Sequence, residues 1–169
     1  MDAFYLTLVW LHITAAAVWI GGMVFIALVL VPATRQPEHR SIAASLIHWT
    51  GARFRWVGWV CLVLLVLTGF INLDQRGFEW ADLWSKWLWE EPLVRVVGIK
   101  LFLVGLILLL SILHDFVIGP HATSLWQSNP TLPEAMRLRR QASWIGRINL
   151  LLALIAVALG VMLSRGSLW

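Results

Sequence analysis

Charge is scarce in this chain. Only 13% of its 169 residues are Asp, Glu, Lys or Arg, and 60% are hydrophobic. A soluble domain of ordinary composition carries about 25% charged residues, so a water-exposed globule is excluded and an integral membrane protein is expected. Cysteine is nearly absent. Cys61 stands alone, which excludes an intramolecular disulfide and any zinc-type cysteine cluster. Phosphate loops, paired carboxylates and hydrolase triads are also missing. The net charge of +4 comes from particular loops, so it reads as topology and not as nucleic-acid binding.

What is present is long apolar sequence. Phe4 to Val31 holds no Asp, Glu, Lys or Arg, and as a helix it would reach ~42 Å, more than the ~30 Å hydrocarbon core of a bilayer. It lacks the basic start of a cleavable signal and is too long for one, so it reads as a retained first helix. Three more spans follow, at about 56–73, 93–119 and 144–163. Prolines at 32 and 120 are expected to end the first and third. The fold class is therefore all-α: an integral membrane antiparallel four-helix bundle with the lipid bilayer as its first partner. Small-residue pairs Ala17/Gly21 and Ala156/Gly160 suggest close helix approach. Residues 40–55 read as a helical extension of the second span. Residues 78–91, with Trp80, Trp84 and Trp87 at helical spacing, read as a short amphipathic surface helix.

The connections differ in sign. Arg35, Arg40, Arg53 and Arg55 face one acid, Glu38, in 32–55, and Arg137, Arg139 and Arg140 face Glu134 in 120–143. The 74–92 connection carries Asp74, Glu79, Asp82, Glu90 and Glu91 against Arg76 and Lys86. The positive-inside rule then puts the basic connections in the cytoplasm and both termini outside.

Against this background the few polar residues within the spans stand out. An imidazole at membrane depth is costly unless paired or ligated, so His12 is a site hypothesis. Its plainer reading is a neutral histidine bonded to a neighbouring helix. Trp19 and Met23 follow it on one helical face. Lys100 lies at the same expected depth. Fourteen residues later His114 returns to nearly the same face, so Lys100, Ile107, Ser111 and His114 form one stripe. Two candidate sites result: an outer one of His12 and Lys100, and an inner one of His48 and His114 with Arg53, Arg55, Arg147 and Asn149 around them. His39 and His121 are expected in solvent. Inward histidines from different helices are the usual way to hold b-type haem in a bundle, with arginines on its propionates. Copper is the alternative, since imidazole and thioether both suit it. His12 and Met23 are about 16 Å apart along the axis, so they could serve only successive ions on a path.

The segments LHITAAAVWIGG, RFRWVGWVCLVLLVLTG, GIKLFLVG and GRINLLLALIAVALGVML resemble the copper-resistance D family and the related HemJ-type membrane proteins. The likeness is carried by His12, Trp19 and Gly21, by Thr68-Gly69, by Lys100, and by Arg147 with Asn149. It implies a multi-pass protein of the bacterial inner membrane with periplasmic termini. The first branch implies copper uptake or tolerance. The second implies b-type haem and protoporphyrinogen oxidation, although Asn149-Leu150 stands where that branch has Asn-Glu. His12 and Lys100 match the shared pattern. The expected role is a haem-dependent membrane oxidoreductase or electron carrier, with a respiratory or other electron-transfer protein as partner. The alternatives are copper translocation and an accessory subunit of a larger complex. An oligomer is compatible with any of these.

Overall fold

The computed structural model describes residues 3–39, 41–75, 78, 92–128 and 132–165. Four long helices dominate: α1 (Ala3–Ala33), α2 (Ala43–Asp74), α3 (Val94–Trp126) and α4 (Pro133–Ser164). Each is long and apolar enough to cross a bilayer. α1 packs chiefly on α2, α3 on α4, and α4 closes the ring against α1. The all-α bundle expected from hydropathy is what forms.

The helices run further than the hydrophobic runs alone. Residues 43–55 extend α2 as expected. Residues 133–143, read from the sequence as connection, form the first turns of α4, which opens on Pro133, a residue suited to a first helical position. Pro120 does not stop α3. The expectation fails because a π-helical turn, Leu113–Ile118, precedes it. A proline inside a helix lacks an N–H, and its ring presses on the carbonyl four residues back. For Pro120 that carbonyl belongs to Phe116, inside the widened turn, where the ladder has already been reset. α1 repeats the device, with a π-turn at Ile26–Leu30 two residues before Pro32. The amphipathic helix expected at 78–91 lies outside the described residues.

Large apolar side chains point outward. Trp56 is 77% exposed, Phe102 72% and Leu28 70%, which water would penalise and lipid does not. The interior is small. Ala15 and Trp19 of α1, Cys61 and Leu62 of α2, Ile107 of α3 and Ala153 of α4 form one buried cluster. This plug takes residues from every helix and divides the bundle into two ends. Ala156 packs against it. Ala17 and Gly21 do not make the expected helix contact: both are exposed, and no side chain approaches Gly21.

The π-turn in α3 needs glycine at its end. Gly119 N–H bonds back to the His114 carbonyl, five residues earlier, and a Cβ at Gly119 would stand 2.7 Å from that oxygen. Gly119→Ala must therefore push the turn open. It is expected to destabilise the protein by roughly 1–3 kcal/mol, read as a lower melting temperature in detergent. Gly105→Ala, where nothing lies within 4 Å, is expected to leave it unchanged or slightly raised.

Candidate functional site

The polar side chains inside the bundle fall into two layers, one at each end of the plug. In the first, His12 of α1 meets Thr68 of α2, with Nδ1 to Oγ1 2.7 Å. The Thr68 hydroxyl donates to the Leu64 carbonyl at 2.6 Å, so its oxygen is the acceptor for His12 Nδ1–H. That fixes the tautomer and leaves Nε2 with a lone pair. Lys100 of α3 is within electrostatic reach of His12, and the two share a level as the sequence predicts. Gly160 of α4 makes room for the lysine: a Cβ there would lie 3.3 Å from Nζ. Gly69 packs beside the imidazole, where a Cβ would meet Cε1 at an ordinary contact distance of 3.5 Å. Asn72, one turn beyond Thr68, has a buried Oδ1 without a partner among the described residues and was not visible as a site residue in the sequence.

The second layer surrounds a cavity of about 830 Å³, within the range of cofactor and drug-sized sites. Its floor is apolar, formed by Trp19, Met23 and Leu62 next to the plug. Its wall carries Ser111, His114 and Asp115 of α3 and Asn149 of α4. Five arginines line it: Arg35, Arg55, Arg139, Arg140 and Arg147. Asp115 accepts hydrogen bonds from Trp59 Nε1 at 3.0 Å and from His114 Nδ1 at 2.8 Å. Neighbouring residues on an α-helix do not face one another; the π-turn brings these two together. With Nδ1–H held by the carboxylate, His114 keeps Nε2 as a ligating or accepting atom. Asn149 Nδ2 donates to Ser111 Oγ at 2.9 Å, while its buried Oδ1 has no partner.

Three of the five arginines, Arg55, Arg139 and Arg147, lie against aromatic rings. Arg139 stacks 3.9 Å from the Trp126 ring centroid, Arg147 lies 5.5 Å from Trp144, and Arg55 lies 5.9 Å from Phe116. None of the five pairs with a carboxylate among the described residues. Arg55 Nε is buried without a hydrogen-bond partner among the described residues. Arg35, in the turn that follows α1, and Arg139 of α4 are within electrostatic reach of each other. Ring contacts use the guanidinium face and leave its N–H donors for an anion.

Of the residues singled out in the sequence, the cavity brings together His114, Arg55, Arg147 and Asn149. It does not take in His48, which is exposed, or His12 and Lys100, which belong to the other layer. His39 is exposed, its Nδ1 bonded to the Ala33 carbonyl, and His121 is exposed. Trp59 was hidden in an apolar run, and only the acid at 115 hinted that a donor must face it. Among the described residues no three His, Cys, Asp or Glu side chains converge as a metal centre.

The family model of copper resistance protein D matches residues 48–163. This chain belongs to the copper resistance protein D family. The matched stretch holds α3, α4 and nearly all of α2 and so most of the cavity wall. An uncharacterized protein of Aquifex aeolicus (strain VF5) is 32% identical over 160 residues, covering 92% of each chain. That alignment reaches beyond the family match into α1. No solved structure matches. Family membership and the four apolar helices make this copper resistance protein D homologue a multi-pass membrane protein.

Thr68→Val removes the acceptor for His12 Nδ1–H. It is expected to lower stability by about 1 kcal/mol, the scale of interhelical hydrogen bonds in membranes. Ring nitrogen NMR shifts should show the His12 tautomer losing its preference. Thr68→Ser keeps the hydroxyl and should behave like the parent.

Proposed function

We propose that this protein binds b-type haem in the arginine-lined cavity and carries electrons at a bacterial inner membrane, with its termini on the periplasmic side. The observation that supports this reading is the composition of the cavity. It pairs an apolar floor with five guanidinium groups and an imidazole whose Nδ1 is already committed to Asp115. A planar apolar macrocycle with two carboxylates suits such a lining.

In this reading His114, with its Nδ1 engaged by Asp115, would hold the haem iron through Nε2. Asp115, itself bonded by Trp59, keeps the imidazole in its orientation, and Arg35, Arg55, Arg139 and Arg147 would pair with the propionates. Trp19, Met23 and Leu62 exclude water from the deep end. When bound, haem supplies one-electron chemistry. His12 and Lys100 lie across the plug and are not ligands of the group in this cavity. Neither is His48.

Copper translocation is the second reading, favoured by the family to which the chain belongs. A copper ion as substrate could meet His12 Nε2 at the other end of the bundle. Its onward path would pass five guanidiniums with one committed carboxylate, which disfavours a cation by simple Coulomb repulsion.

The absorption spectrum of protein purified after expression with ample haem distinguishes the readings. Haem binding predicts a Soret band that is lost or strongly shifted in His114→Ala and kept in His12→Ala. Absence of the band in the parent protein would overturn it. Copper translocation instead predicts altered cellular copper that His12→Ala abolishes.

A further inference from the structure

A second concavity lies where α3 emerges from its π-turn and α4 begins. It has a volume of about 460 Å³ and is lined by Ile118, Arg137, Arg140, Gln141, Trp144 and Ile145. We infer that this groove binds the headgroup and upper acyl chain of an anionic phospholipid.

Three features argue for that occupant. The groove is on the outside of the bundle, where Trp144 is 52% exposed. Tryptophan at that level marks the boundary between hydrocarbon and headgroups. Its walls are divided by chemistry: Ile118 and Ile145 offer an acyl chain apolar contact, while Arg137, Arg140 and Gln141 offer donors. Arg137 and Arg140 are three residues apart, and Gln141 is four from Arg137, so all three share one helical face. Neither arginine pairs with a carboxylate among the described residues. Like charges at that spacing destabilise a helix unless an anion lies between them. A phosphodiester supplies that anion and accepts from both guanidinium forks. Basic pockets between membrane helices at the positively charged end are the usual place for such headgroups. A zwitterionic lipid would bring its own ammonium against the arginines, so the groove should discriminate. Free phosphate would leave the isoleucine wall unused.

This inference does not depend on haem. Arg140, Trp144 and Ile145 line both spaces, whereas Arg137, Gln141 and Ile118 line the groove and not the larger cavity, so Arg137 is the residue substituted in the test.

The test is native mass spectrometry of the full-length protein in detergent, with phosphatidylglycerol or phosphatidylcholine added. The parent protein is expected to retain phosphatidylglycerol preferentially. Arg137→Gln should lower that retention about fivefold, the factor corresponding to one basic side chain near an anionic surface. Arg137→Lys should restore most of it, and millimolar inorganic phosphate should not displace the lipid. Equal retention of the two lipids by the parent protein would overturn the proposal without any variant being needed. So would unchanged retention in Arg137→Gln, or displacement by inorganic phosphate.

Discussion

Five guanidinium groups share one cavity with a single carboxylate, and that carboxylate already accepts from Trp59 and His114. Asp115 is the only acid away from the ends of the described spans. An unpaired carboxylate at such depth would be costly, and both its oxygens are occupied by fixed donors. The positive charge around it has no such internal answer. Aromatic rings lie against three of the arginines, Arg55, Arg139 and Arg147, a contact that uses the guanidinium face and not its N–H groups. On the reading proposed above, this excess of positive charge is what an anionic ligand would neutralise.

The same economy runs through the helix contacts. Little hydrophobic drive joins helices within lipid, so packing and interhelical hydrogen bonds set their register. His12 to Thr68 links α1 to α2, Trp59 to Asp115 links α2 to α3, and Asn149 to Ser111 links α3 to α4. Every sequence-adjacent pair of helices has one such bond. Between the two polar layers, the plug of Ala15, Trp19, Cys61, Leu62, Ile107 and Ala153 keeps them separate.

Apolar length made the four spans legible, since nothing but a helix satisfies its own backbone across lipid. Periodicity along α3 correctly aligned Ser111 and His114, and depth counting correctly put Lys100 near His12. Three things could not be read. The π-turns arise from local conflict between proline rings and helix carbonyls, which a regular 100° wheel does not represent. Trp59 carries no charge to mark it, although its indole N–H is what Asp115 needs. His48 looked equivalent to His114 because both were assigned to the same level, but helix rotation turns one outward and the other into the cavity. The likeness in sequence pointed to His12 and Lys100. Reading the inner level from the sequence already grouped Arg55, Arg147 and Asn149 with His114; Arg35, Arg139 and Arg140 join them in the fold, while His48 and Arg53 do not.

The proposal that the cavity takes a dianionic macrocycle is tested most directly by equilibrium binding of haem and of its dimethyl ester to the purified protein. The ester keeps the ring and the iron and removes both carboxylates. Binding of the diacid tighter by roughly tenfold or more is expected, since charge-assisted bonds to arginine are lost in the ester. Equal affinity for the two would contradict an anion-selecting cavity.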